Sequence, residues 1–222
     1  FPYTTLFRSY LLNMFQGGLG LPDESYYREE KYADFRDAYV PYIAQMFEHA
    51  GYSAADALDA AKRIMAFETE LATHHWDVVA TRDAEKTYNL FTFEKLQALT
   101  PTIDWATWLQ GSQVKADILF ESVVMTPSFF EGLASLYNEA RIEDVRLWLS
   151  WQVINSMAPY LSDDFVNTRF AFYGTKLTGQ PEMRARWKRG VQLVEGSLGE
   201  AVGKIYVEKH FPPAAKAQMD DL

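Results

Sequence analysis

The chain has 222 residues, 48% hydrophobic and 15% aromatic, enough to bury a sizeable core and too apolar for general disorder. Thirty acidic residues against 21 basic ones give a net charge of −9, a balance that repels phosphate backbones and excludes general nucleic-acid binding. No apolar run is long enough to cross a bilayer, and zero cysteines exclude a disulfide framework within this stretch.

Phe1 to Ser9 reads FPYTTLFRS, and one permitted back-translation is the end of a common short-read sequencing adapter. Residues 1–9 are therefore expected to be a sequencing or cloning scar, and residues 10–222 the protein proper. Tyr10 to Phe15 predicts a short extended lead-in. Gly17, Gly18 and Gly20 then allow a tight turn before Leu21, Pro22 and Asp23. From Tyr27, helical spacing takes over: Tyr32, Phe35, Tyr39, Ile43, Met46 and Phe47 share a face, with Pro41 expected to kink or restart the helix and Gly51 to end it. Ser53 is an N-cap with Asp56 three residues on, and the helix behind it should bury Leu58, Ala61, Ile64 or Met65, Phe67 and Leu71.

Asp77 to Asn89 breaks the periodicity and reads as a loop or irregular helix end. Thr92 and Asp104 each cap a short helix, the second stopped by Gly111. Ile118 to Met125 is the strand candidate, although Glu121 and Ser122 split it. Ser128 should cap the next helix, and Glu143 to Met157 should form a strongly apolar one with Val145, Leu149, Val153 and Met157 on its buried stripe. Ser162 or Asp163 opens a helix reaching Gly179. Pro181 should start the last long one, carrying Trp187, Val191, Val194, Leu198, Val202 and Tyr206 as far as Pro212. A further helix begins at Ala214. The prediction is an all-α fold, one domain of eight to ten helices with no internal repeat and no Gly/Ser/Pro-rich linker.

Several chemistries are excluded by spacing. Zinc-peptidase chemistry needs two imidazoles one helical turn apart with a glutamate between them, but the histidines stand at 49, 74, 75 and 210. His74 and His75 read as an exposed helix-end pair. No Glu-x-x-His step supports a di-iron bundle, and no cysteine nucleophile, G-x-S-x-G elbow or Walker loop occurs. The single basic concentration, Arg184, Arg186, Lys188 and Arg189, surrounds Trp187; the expectation is that Trp187 packs inward while the cations pair with carboxylates or face a cavity. Gly199 and Gly203, four apart on one helix, would let another element approach closely.

In order along the chain stand GGLGLPD (Gly17 to Asp23) followed by Tyr26-Tyr27, the glutamate-bearing helix Glu68 to Ala72, Arg82-Asp83, Tyr88-Asn89 and Asp104-Trp105. Leu161-Ser162, RWKR (Arg186 to Arg189) and Gly199 to Phe211 complete the series. This series resembles the neprilysin-like zinc metallopeptidases over residues 13–222, with His75-Trp76-Asp77 similar to bacterial, and in particular actinobacterial, members. Glu24-Ser25 stands where Arg-Asp is usual and Ala185 replaces a common proline. The resemblance implies the helical N-terminal region that caps a thermolysin-like catalytic domain and encloses a cavity reached by short peptides. It implies a zinc endopeptidase whose H-E-x-x-H helix lies downstream, so that this stretch alone holds no catalytic residue, no metal ligand and no activity. Its partners would be its own catalytic domain and a peptide substrate, with no nucleic acid and no membrane contact. Truncation before the catalytic domain would leave apolar surface exposed. The family signature assigns a structural or cavity-lining role to Gly18, Leu19, Gly20, Pro22, Asp23, Arg82, Asp83, Tyr88, Asn89, Arg186, Trp187, Arg189, Gly199 and Gly203. The lack of cysteine points to a bacterial relative; the location is expected to be the bacterial cytoplasm, with secretion or a membrane anchor left open by a missing N-terminus. A free-standing helical interaction module, or an inactive peptidase homologue used for binding, is the alternative reading.

Overall fold

The computed structural model describes residues 11–220, so the expected scar at 1–9 lies outside the described residues. Helices dominate, as the periodicity requires, and a single three-stranded sheet accompanies them among the described residues. The chain divides after Leu177 into two compact units.

The first unit opens with strand β1 (Leu12–Met14), the expected extended lead-in, and a one-turn helix α1 (Ser25–Arg28). Helix α2 (Ala33–His49) runs through Pro41 without restarting. Proline removes its own N–H bond there and crowds the carbonyl one turn back, but Tyr39, Ile43, Met46 and Phe47 are all fully buried around it, so packing outweighs the local cost. Gly51 follows at φ +97°, in the left-handed region that ends helices. Helix α3 (Ala54–Ala72) begins as expected, with the Ser53 hydroxyl accepting from the Asp56 N–H. It buries Ala57, Ala61, Ile64, Phe67, Glu68 and Leu71, whereas Leu58 is exposed.

The stretch Asp77 to Asn89, expected to be a loop or irregular helix end, holds a 3-10 turn at Ala80–Arg82 and helix α4 (Ala84–Thr87) capped by Asp83, and strand β2 (Leu90–Thr92) follows it. Three-residue strands carry too little alternation to be seen in sequence. Helix α5 (Phe93–Leu99) is capped by Thr92 and helix α6 (Trp105–Ser112) by Asp104, both as expected. The latter passes Gly111 and stops at Gln113, φ +56°. Strand β3 (Glu121–Val124) includes the Glu121 and Ser122 expected to interrupt it; it pairs parallel with β1 and antiparallel with β2, and Ser122 is buried between them. Ile118 instead belongs to a 3-10 turn.

Helix α7 (Pro127–Leu136) starts one residue before Ser128, whose hydroxyl accepts the Trp76 indole N–H at 2.7 Å rather than capping. Helix α8 (Ile142–Met157) keeps only the start of the expected stripe: Val145 is buried, but Leu149, Val153 and Met157 are 46%, 62% and 47% exposed, and Trp148 and Trp151 face inward instead. The bulkier indoles carry hydrogen-bond donors that find partners inside, so they take the core side. Helix α9 (Asp163–Arg169) runs into a π-helical segment at Phe170–Leu177. Two cores result: one gathers Tyr39, Tyr42, Ile43, Phe47, Ile64, Trp151 and Phe172, the other Phe67, Leu71, Leu96, Trp105, Val124, Phe129 and Val145.

The second unit is helix α10 (Arg186–His210), with non-helical backbone at Leu198, and helix α11 (Pro213–Asp220). Helix α10 begins five residues later than Pro181 suggested, and none of its residues is buried. Among the described residues no helix is long and apolar enough to cross a membrane.

Candidate functional site: a buried carboxylate that clamps the glycine-rich segment

The densest polar constellation of the first unit surrounds Glu68, which α3 carries into the interior at 0% exposure. The Tyr27 hydroxyl donates to its Oε2 at 2.7 Å, the Tyr39 hydroxyl at 3.0 Å and the Gly20 N–H at 3.2 Å. Each hydroxyl also accepts. Tyr27 takes the Leu21 N–H at 3.0 Å, and Tyr39 takes the Trp151 indole N–H at 2.8 Å. The carboxylate thus faces donors only, which is the arrangement an interior anion requires.

Around it, the backbone of residues 17–21 is gripped from four elements. The Gly18 carbonyl accepts from Trp148 Nε1 (2.8 Å) and Gln152 Nε2 (3.0 Å) on α8, and the Gly20 carbonyl accepts from the Tyr173 hydroxyl (2.8 Å) on the π-helix. His75 Nε2 lies 3.1 Å from the Gly17 carbonyl, so that nitrogen carries the proton. A second tier, Tyr42 to Asn155 Oδ1 (2.6 Å) and Asn155 Nδ2 to Tyr173 (2.9 Å), fixes the clamp to α2. Gly18 has φ +86°, and a Cβ on it would stand 2.4 Å from Trp148. A Cβ on Gly20 would stand 1.7 Å from the Tyr39 hydroxyl, so close backbone approach fixes glycine there.

Burial pushes the Glu68 carboxyl up to about 7 from its ordinary 4.5, against the pull of the Tyr27, Gly20 and Tyr39 hydrogen bonds. Burial, reinforced by the Glu68 charge, pushes Tyr27 and Tyr39 well up, and burial takes Tyr173 to about 12. Burial also lowers His75, which is half-buried against Phe129 rather than an exposed helix end. A raised carboxyl often marks catalysis. Here no substrate can reach Glu68, and no nucleophile or base faces it, so its chemistry is positional.

The signature residues fall into three groups. Gly18, part-buried Leu19 and Gly20 belong to the clamp, with Pro22 exposed and Asp23 accepting from the Ser25 N–H and hydroxyl beside it. Asp83 caps α4 by accepting from the Glu85 and Lys86 N–H groups, Asn89 donates to the Lys86 carbonyl, and Arg82 and Tyr88 are exposed. Arg186, Trp187, Arg189, Gly199 and Gly203 lie in the second unit. Trp187 is 68% exposed instead of packed inward. Arg189 donates to the Arg184 carbonyl and Arg184 to Gln192, so these cations bond within their own segment. A Cβ on Gly199 or Gly203 would meet nothing within 4 Å, so neither provides a close approach here.

The sequence places Glu68 only within a family motif and gives no sign of its partners Tyr27, Tyr39 and Gln152, nor of the bond from Tyr173 to the Gly20 carbonyl. An acidic residue flanked by Phe67 and Leu71 on an apolar helical face was the one available signal. Among the described residues, no group of three or more His, Asp or Glu side chains could hold a metal ion, so the residues present do not fit zinc.

The family described as Peptidase family M13, in its N-terminal part, matches residues 7–222. The chain is 27% identical to the neutral endopeptidase of Lactobacillus helveticus over 207 residues, 91% of this chain and 31% of that protein. It is 28% identical to endothelin-converting enzyme 1 of Homo sapiens, over 94% of this chain and 28% of that one. Among solved structures, it is similar to the zinc metalloprotease Zmp1 of Mycobacterium tuberculosis in its open state, at TM-score 0.89 and 45% identity. That match covers 95% of this chain and 33% of Zmp1. The chain spans about a third of the length of the relatives it matches.

Proposed function

The chain belongs to peptidase family M13, and from this premise we propose that it is the N-terminal, cavity-capping part of a bacterial zinc metalloendopeptidase that hydrolyses short peptides. The observation that carries the reading is the 45% identity to Zmp1, named as a zinc metalloprotease, over 95% of this chain. Zinc, its ligands and the general base would come from polypeptide beyond Leu222, because the described residues offer no metal-holding group. The role of this part is then architectural. The Glu68 clamp holds the glycine-rich segment against α3, α8 and the π-helix, giving the catalytic region a rigid partner and the peptide substrate a walled cavity. Alone, the chain binds no zinc tightly and cleaves nothing.

The test is to recover the coding sequence that adjoins the Leu222 codon, express the full-length protein, and measure bound zinc and chelator-sensitive cleavage of short peptides. A frame reaching H-E-x-x-H and yielding a zinc-loaded peptidase is the expected outcome. A frame without that motif, or a full-length protein that holds zinc but cuts no peptide, sinks the proposal.

A further inference from the structure

Beside its second core, the first unit holds an open cavity of about 460 Å³ that the Glu68 clamp does not use. Three short pieces frame it: the turn after α5, the 3-10 turn at Glu139–Arg141 that joins α7 to α8, and the first turn of α8. Val145, 1% exposed, forms its floor. Ile142, one turn earlier on the same face of α8, lines the wall with Tyr137 and Thr102. The frame is held by its own bonds. The Tyr137 N–H donates to the Leu133 carbonyl at 3.0 Å, the Arg141 N–H to the Asn138 carbonyl at 3.1 Å, and the Thr102 hydroxyl to the Ala134 carbonyl. A preformed, mainly apolar cavity of this size falls within the roughly 300–1,000 Å³ of small-molecule sites.

Two side chains at the mouth leave oxygen acceptors without donors. Asn138 donates through Nδ2 to the Ser135 carbonyl at 2.9 Å, which leaves its Oδ1 as an acceptor. The Glu139 carboxylate has no cation partner among the described residues: Arg141 turns to Glu70 (2.6 Å) and Asp144 (3.7 Å), and Arg146 turns to Glu143 (2.8 Å). An anion would meet the Glu139 charge on a chain of net charge −9, and an uncharged apolar body would leave both oxygens unmatched. A charged donor above an apolar floor is the complement of this arrangement.

We propose that the cavity binds a small amphiphilic amine, its aryl or alkyl body between Tyr137, Ile142 and Val145 and its ammonium against Glu139 and Asn138. An aromatic body gains further from the Tyr137 ring.

The test titrates para-fluorophenethylamine into the full-length enzyme and into the 222-residue chain, reading the broadening of its fluorine resonance. Expected is saturable binding to both with a Kd on the order of 1 mM, which about ten non-hydrogen atoms provide. Para-fluorophenylacetate, an anion of similar shape, should bind about 10-fold more weakly or worse. Glu139→Gln, at an exposed residue, should weaken the amine by roughly 3- to 5-fold, the effect of an exposed ion pair. Ile142→Trp, which fills the mouth, should abolish binding. Absence of saturation at about ten times the expected Kd overturns the proposal. So does an anion held as tightly as the amine, a Glu139→Gln protein that binds like the parent, or binding that Ile142→Trp leaves intact. Binding to the short chain alone also overturns it, because the cavity would then be covered in the enzyme. Peptidase activity enters none of these readouts, so failure of this site and failure of the proposed function are distinguishable.

Discussion

Replacing Glu68 by glutamine should flatten one part of the pH dependence of stability. The carboxyl ionises near pH 7 in the folded chain against an ordinary value of 4.5. The folded state therefore holds this proton more tightly than the unfolded state between those values. Its contribution is fully present below about pH 4.5 and is lost as pH rises through about 7. A spread of about 2.5 pH units at 1.36 kcal/mol each corresponds to about 3 kcal/mol. Because Glu68 is fully buried, solvent screening removes little of that. Glutamine keeps the shape and an acceptor oxygen for Tyr27 and Tyr39 but cannot titrate. Urea unfolding followed by tryptophan fluorescence, with Trp148 and Trp151 packed beside the site, would give both midpoints from pH 4.5 to 8. Titrating groups other than residue 68 are common to both proteins and cancel in the difference. The expected result is a wild-type advantage that shrinks by about 3 kcal/mol across the range. A difference that stays flat from pH 4.5 to 8 would refute the burial argument and indicate a carboxylate ionised throughout.

Gly20→Ala would drive a methyl into the Tyr39 hydroxyl and break its bonds to Glu68 and Trp151, so a loss of about 3 kcal/mol is expected in the same urea assay. A midpoint within error of wild type would mean that Tyr39 moves freely. Ser53→Ala removes the cap of α3 and should cost about 1 kcal/mol, measured by thermal unfolding. Trp187→Ala, at a residue exposed in this chain, should leave the 222-residue protein within about 0.5 kcal/mol of wild type. Chelator should leave its melting temperature unchanged, and a downward shift on adding EDTA would reveal a metal site that the described residues do not form.

The helical class, the caps at Ser53, Thr92 and Asp104, the left-handed stop at Gly51 and the extended segment before Gly17 were all legible in sequence. Each depends on residues within one helical turn, where side-chain chemistry and backbone geometry act directly. The family signature was legible for a different reason, as an ordered set of short motifs. What it does physically was not. Tyr39 lies 29 residues from Glu68 and Tyr173 lies 153 from Gly20, and only folding brings them together. Whether Pro41 broke α2, whether Glu121 and Ser122 interrupted a strand, and which face of α8 turned inward were likewise decided by packing. Trp148 and Trp151 displaced the Leu149–Val153–Met157 stripe because their indole donors had acceptors waiting in the core. Local rules fix where elements start and stop; the competition among apolar faces for a finite interior is settled only when all the elements meet.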